Sequence, residues 1–107
     1  MSFCLIILAG GDSHRFGANI RKPYQKIAGK SLIEININKA RKFKQIKKII
    51  VVYNKKDLNR VRSLKLENIK LVAGGKNRQQ STFYALKYLK KHQQSIKPLF
   101  FLKSNQL

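Results

Sequence analysis

Phe3-Cys4-Leu5-Ile6-Ile7-Leu8 is an unbroken apolar run that gives way to Ala9-Gly10-Gly11. Apolar residues with no polar alternation suit a strand covered on both faces, the condition met in a parallel sheet. Paired glycines directly after such a strand leave the backbone free of side-chain cover and able to take positive φ. The same form returns later in the chain, where Ile69-Lys70-Leu71-Val72 runs into Ala73-Gly74-Gly75.

The stretches between these runs read as helices and loops. Ala9 to Lys30 is rich in Gly, Asp, Ser, Asn and charge, with Pro23 in its middle, and predicts a long loop at the carboxyl end of the first strand. Ser31-Leu32-Ile33-Glu34 has the form of a capping box. Leu32, Ile33, Ile35, Ile37, Ala40 and Phe43 then form an apolar stripe that predicts a helix over about Leu32 to Phe43. Lys48 to Tyr53 is β-branched and predicts the second strand, with Asn54 as a cap and a polar helical stretch to about Leu64. After the third strand, Gln80 to Lys91 predicts a helix facing the core through Phe83, Ala85, Leu86 and Leu89, and Pro98 to Leu102 predicts a fourth strand. Strands alternating with helices imply an α/β, three-layer parallel sheet whose ligands bind beyond the carboxyl ends of the strands. Both glycine loops should open on that edge.

Composition narrows the class. A chain of 107 residues holds one small core. Its net charge of +20 is mostly Lys, accompanied by abundant Ile and Asn, as in coding biased toward AT-rich codons. No nucleic-acid motif accompanies the charge and the aromatics are not interleaved with it, so nucleic acid is not the expected partner, although the charge would still attract anionic substrates. Cys4 is the only cysteine and lies in the apolar run, which excludes an internal disulfide and fits a reducing cytoplasm. No basic residue precedes Phe3 to Leu8, so the run is not a signal peptide, and nothing reaches transmembrane length. His14 and His92 form no pair at metal spacing and read as surface residues. The only acids are Asp12, Glu34, Asp57 and Glu67; Asp12 reads as solvent-facing or turn-forming, and no metal ligand is assigned.

The chemistry-bearing residues gather in the first loop. Gly10 and Gly11 suit close approach to phosphates, and Arg15 and Lys22, seven residues apart, suit fixed cations where transition-state charge builds up. Singly, each has an ordinary alternative: a tight turn for the glycines, a solvated surface for the cations. Together, Leu8-Ala9-Gly10-Gly11-x-Ser13-x-Arg15-Phe16, then Lys22-Pro23-Tyr24, then Ile27-x-Gly29-Lys30-Ser31-Leu32 resemble the opening of the nucleotidyltransferases. This is not a Walker A loop, because Gly29-Lys30-Ser31 lacks the upstream glycine. Within that superfamily, Gly74-Gly75-x-x-Arg78-Gln79-x-Ser81-Thr82 with Ala85-Leu86 resembles the second signature of the 2-C-methyl-D-erythritol 4-phosphate cytidylyltransferases, known also fused to a cyclodiphosphate synthase.

The resemblance implies a Rossmann-like three-layer nucleotidyltransferase fold of the nucleotide-diphospho-sugar transferase type, of which residues 1–107 would supply the nucleotide-binding, N-terminal half. Arg15 and Lys22 would match the catalytic cations at the α-phosphate. Ala9, Gly10 and Gly11 would lie against the nucleotide, and Gly75, Arg78 and Ser81 would belong to the pocket for cytosine and ribose. On residue chemistry alone, Ser81 suits a plain helix N-cap equally well and Arg78 suits a loop brace. The implied substrates are CTP and 2-C-methyl-D-erythritol 4-phosphate, the implied cofactor Mg²⁺, and the implied product 4-diphosphocytidyl-2-C-methyl-D-erythritol.

The chain departs from the family pattern in several places. Gly10 replaces a usual alanine, Ser13 a common glycine, and Pro23 stands where Gln often follows the catalytic Lys. The family's metal-binding Asp follows its fourth strand in an Asp-Ala-Ala-Arg-Pro segment, whereas here Phe101-Leu102 leads into Lys103-Ser104-Asn105. The acceptor-binding part and dimer arm are likewise absent, so the sequence predicts a truncated or frameshifted domain, no family-type homodimer, and poor solubility when made alone. Two other classes stay open at this point: a molybdenum cofactor guanylyltransferase or other nucleotidyltransferase, with a similar Leu-Ala-Gly-Gly-x-Ser-x-Arg opening, and a basic, non-enzymatic RNA-binding module.

Overall fold

A computed structural model describes residues 2–9, 24–92 and 97–101, the last three by backbone alone. The elements in order are β1 (Phe3–Ala9), a small hairpin of β2 (Lys26–Ile27) and β3 (Lys30–Ser31), α1 (Leu32–Ala40), β4 (Ile46–Tyr53), a 3₁₀ turn (Lys55–Asp57), α2 (Leu58–Ser63), β5 (Ile69–Ala73), α3 (Arg78–His92) and β6 (Lys97–Phe101). The main sheet has four strands in the order β5-β4-β1-β6, with every pair parallel.

Alternate residues of the strands enter opposite cores. Leu5, Ile7 and Ala9 of β1 and Ile49 and Val51 of β4 meet Ile33, Ile37 and Ala40 of α1 and Val61 of α2 on one face. Cys4 and Ile6 of β1 and Ile50 and Val52 of β4 meet Ala85 and Leu89 of α3 on the other. The two central strands are therefore covered on both sides, which is why β1 reads as an apolar run rather than an alternation. The three-layer α/β expectation holds.

The boundaries hold with instructive exceptions. The capping box forms as read: Ser31 Oγ accepts the Glu34 N–H at 3.2 Å, and Glu34 Oε1 accepts the Ser31 N–H at 3.1 Å. Asn54 caps its turn by accepting the Lys56 N–H at 2.9 Å. Helix α1, however, ends at Ala40 and not at Phe43. Bonds from Lys42 N to Lys39 O and from Phe43 N to Ala40 O tighten the chain to a three-residue spacing, which swings Phe43 out of phase with the stripe and leaves it exposed. The long loop contains the β2–β3 hairpin, whose two central residues, Ala28 and Gly29, have φ of 52° and 85°, the signs a type I′ turn requires.

Helix α3 begins two residues before Gln80, and its core line is Ser81, Ala85 and Leu89. Phe83, two positions beyond Ser81 and so about 200° around the helix, is exposed, as is Leu86, and the predicted face was half right. No helix among the described residues is long and apolar enough to cross a membrane.

Candidate functional site

The carboxyl ends of three strands lie level. Ala9 pairs with Tyr53, and Tyr53 pairs with Ala73, so β1, β4 and β5 finish in one row. Neighbouring strands lie about 4.8 Å apart, so the segments leaving β1 and β5 depart about 10 Å from one another with β4 between them. The strand order reverses direction at β1: the chain moves outward through β4 to β5, then crosses back by α3 to reach β6 on the far side of β1. A crevice at such a switch point is where open α/β sheets take ligands. Ala9 stands at it and is fully buried.

The segment after β5 is held from within by α3. Gly74 N–H donates to the Tyr53 carbonyl at 2.7 Å, seating the turn against the end of β4. An added Cβ on Gly74 would lie 2.9 Å from Ser81 Oγ and 3.1 Å from the Tyr53 carbonyl oxygen, so only glycine fits without displacement. Ser81 Oγ accepts the Gly75 N–H at 3.0 Å, and Gln80 Oε1 accepts the Lys76 N–H at 2.6 Å. Asn77 starts the helix, its Oδ1 accepting the Gln80 N–H at 2.8 Å. Ser81 is thus neither the N-cap nor free; it is 7% exposed, in the first full turn, with its hydroxyl committed to the loop. The capping role belongs to Asn77, and Asn77-x-x-Gln80, a form of capping box with Gln80 reaching back one residue further than usual, was the sequence signal that reading from Gln80 onward missed.

Arg78, at the first position of α3, is exposed and has no hydrogen-bond or ionic partner among the described residues. The bracing that Arg78 was one candidate for is carried by Ser81 and Gln80. Lys55, Lys56 and Lys76 are also exposed beyond the strand ends, so the described part of this edge is cationic, which favours a polyphosphate. The remaining candidates, Gly10, Gly11, Arg15 and Lys22, lie outside the described residues.

The described carboxylates do not gather there. Glu34 is occupied by Ser31, Asp57 is buried at the start of α2, and Glu67 sits in the turn before β5 at the opposite edge of the sheet. No group of three or more His, Cys, Asp or Glu suited to a metal occurs among the described residues. Among the described residues the one large pKa displacement is that of Cys4, whose thiol is pushed up to about 11 by burial, with the Lys48 charge opposing, so it stays protonated.

The described part of this edge thus comprises level strand ends, a glycine turn pinned by Ser81 and Gln80, and Arg78, which has no partner among the described residues. The family model for IspD, 2-C-methyl-D-erythritol 4-phosphate cytidylyltransferase, matches residues 3–97. The chain belongs to the IspD family. It is 45% identical over 92 residues to the bifunctional enzyme IspD/IspF of Pelagibacter ubique, covering 86% of this chain and 25% of that one. Against the 2-C-methyl-D-erythritol 4-phosphate cytidylyltransferase of Wigglesworthia glossinidia brevipalpis the identity is 37%, over 81% of this chain and 39% of the relative. Among solved structures, the 4-diphosphocytidyl-2C-methyl-D-erythritol synthase of Anaerococcus prevotii superposes with a TM-score of 0.63 and 31% identity, covering 80% of this chain and 37% of that one. The chain therefore spans between a quarter and two-fifths of these IspD relatives.

Proposed function

We propose that this chain forms the CTP-binding part of a cytidylyltransferase that converts CTP and 2-C-methyl-D-erythritol 4-phosphate to 4-diphosphocytidyl-2-C-methyl-D-erythritol and pyrophosphate. The observation that carries the reading is the level row of Ala9, Tyr53 and Ala73, which ends the two strands that precede the signature segments on one edge of the sheet. A nucleotide across that edge would place its phosphates at the loop after β1 and its pyrimidine at the loop after β5.

In the reaction, a phosphate oxygen of the acceptor forms a bond to the α-phosphorus of CTP. The bond from that phosphorus to the bridging oxygen breaks, and pyrophosphate leaves with the electron pair. Arg15 and Lys22 would stabilise the negative charge that grows on the α-phosphate oxygens. Ala9, Gly10 and Gly11 would meet the nucleotide through backbone, since side chains there would block close approach. Gly75, Arg78 and Ser81 would form the base and ribose pocket, with Ser81 acting through the Gly75 N–H that it holds. Mg²⁺, which the family implies, would neutralise charge on the CTP phosphates. The described carboxylates form no set to hold it.

The test is nucleotide binding by titration, followed by pyrophosphate release with the acceptor present. CTP binding in preference to UTP and GTP supports the reading. GTP preference would move the chain to the guanylyltransferases, and salt-dependent RNA binding without CTP preference would make it a basic binding module.

A further inference from the structure

The charge of this chain is densest at the edge of the sheet opposite the candidate site. Lys39-Ala40-Arg41-Lys42-Phe43-Lys44-Gln45-Ile46-Lys47-Lys48 holds six Lys or Arg and no acid. It runs from the last turn of α1 into β4 and is anchored at both ends. Phe43 N–H donates to the Ala40 carbonyl at 3.0 Å, Ile46 N–H to the Phe43 carbonyl at 3.1 Å, and Phe3 N–H to the Gln45 carbonyl at 2.7 Å. These bonds tie the turn to α1 and β1 and hold the Phe43 ring outward, 55% exposed. Arg41 is occupied with the Glu67 carbonyl, and Lys48 lies over the Tyr88 ring at 5.5 Å. Lys42 and Lys44, on either side of Phe43, are exposed, and their side chains have no hydrogen-bond or ionic partner among the described residues. Lys39 and Lys47 are exposed beside them.

Coding bias accounts for the number of lysines, but not for an aromatic ring held out of the core among them. Cations around one protruding ring complement a surface that is anionic outside and apolar directly beneath, which is the build of a bilayer containing acidic phospholipid. A nucleic-acid platform stacks successive bases on successive rings, and this turn offers a single one. We propose that the turn from Arg41 to Gln45 docks the chain on an anionic lipid surface, with Phe43 entering the headgroup boundary and Lys42 and Lys44 at the lipid phosphates. The contact is peripheral and needs no spanning helix. Strand β1 is seven residues long, so the carboxyl edge stands about 23 Å away, more than two Debye lengths at about 0.1 M salt. The candidate nucleotide edge therefore stays open to solvent, and the docking does not depend on what binds there.

The experiment floats the whole chain on a sucrose gradient with vesicles of phosphatidylcholine alone or with about 30% phosphatidylglycerol added, at about 0.1 M salt. Bound protein rises and self-associated protein sinks. Binding to the anionic vesicles only is expected. Lys42→Gln combined with Lys44→Gln should weaken it at least about tenfold, at roughly fivefold per lysine. The charge-matched pair Lys55→Gln and Lys56→Gln, at the far edge, should weaken it less than about twofold. Phe43→Ser should weaken it about tenfold, and Phe43→Leu, which keeps an apolar side chain, should stay near the wild type. The chain has no tryptophan, so Phe43→Trp supplies a unique fluorophore whose emission should shift to the blue on anionic vesicles and be quenched by brominated lipid. Failure to float with anionic vesicles overturns the proposal. So does equal weakening by the two lysine pairs, which would mean diffuse adsorption of a +20 chain. An indole emission unchanged in the bound protein overturns entry of the ring. Binding of a short single-stranded RNA more tightly than vesicles, lost in Phe43→Ser, would make the turn a nucleic-acid face and overturns the lipid assignment.

Discussion

Replacing Gly74 with Ala tests how tightly the loop after β5 is seated, and its cost can be worked from three distances. The added Cβ would lie 2.9 Å from Ser81 Oγ, 3.1 Å from the Tyr53 carbonyl oxygen and 3.4 Å from Val52 Cγ1. The Tyr53 oxygen belongs to the end of β4 and already accepts the Gly74 N–H at 2.7 Å, so it cannot recede without lengthening that bond. Ser81 Oγ can rotate away, but only by dropping the Gly75 N–H. Overpacking costs about 1–3 kcal/mol and a lost buried hydrogen bond about 1 kcal/mol. The expected destabilisation is about 2–3 kcal/mol, which at about 4–8 °C per kcal/mol for a domain of this size lowers the melting midpoint by about 10 °C or more. Urea unfolding followed by circular dichroism reads this as a lower midpoint at unchanged slope. In the Ser81→Ala background the same substitution should cost less, because one of the two close contacts is gone and the Gly75 bond is already lost. A Gly74→Ala midpoint within about 1 °C of the wild type would refute the seating, given the per-kcal shift above.

Three further outcomes follow from single residues. Asn36 is buried in α1 and its Nδ2 has no hydrogen-bond partner among the described residues, so Asn36→Leu should stabilise the fold by about 1 kcal/mol, seen as a higher urea midpoint. Ser31→Ala removes both the cap to Glu34 N–H and the hydroxyl that donates to Glu34 Oε1, and should cost about 1–2 kcal/mol in the same assay. Cys4 should resist a thiol reagent at pH 8 in the native protein and react at once in urea. Because its folded pKa is raised from 9.0 to about 11, its proton-linked contribution to stability is full below pH 9 and is lost as pH rises from 9 toward 11. The stability advantage of the wild type over Cys4→Ala should therefore shrink across that window.

The sheet was legible because its signals are local and redundant. An apolar run such as Phe3 to Leu8 has few other destinations than a doubly covered strand, and the Ser31–Glu34 capping box names its partners outright. What escaped the sequence depended on small rotations. Phe43 fits a helical stripe by count, yet one tightened turn puts it in solvent. Phe83 fits by hydrophobicity, yet the sheet is reached by the line of Ser81, Ala85 and Leu89, small residues at the loop end and Leu only at the far end. For the candidate site the motif pointed to Gly75, Arg78 and Ser81, but no periodicity separates a serine free to touch a ligand from one that holds the loop, as Ser81 holds the Gly75 N–H. Gln80 carried no motif weight, yet its Oε1 accepts the Lys76 N–H at 2.6 Å, closer than the 3.0 Å of the Gly75–Ser81 bond.

The two adjacent glycines of Gly74-Gly75 look alike in sequence but answer to different constraints, and a pair of substitutions separates them. Neither has positive φ, since Gly29 is the only glycine among the described residues that does, so what both need is space rather than conformational freedom. At Gly74 one close neighbour is the backbone of β4, which cannot be trimmed. At Gly75 the three nearest atoms all belong to the Gln80 side chain, the movable end of one residue. Gly75→Ala should therefore cost no more than the Gln80 bond it displaces, about 1 kcal/mol, and should cost nothing further once Gln80→Ala has removed both the bond and the obstruction. Gly74→Ala should keep part of its cost in every side-chain background, because the Tyr53 oxygen stays where it is. Urea midpoints for the two double-variant cycles decide the matter. Equal destabilisation by Gly75→Ala with and without the Gln80 side chain would mean that the loop is confined by its own backbone and not by α3.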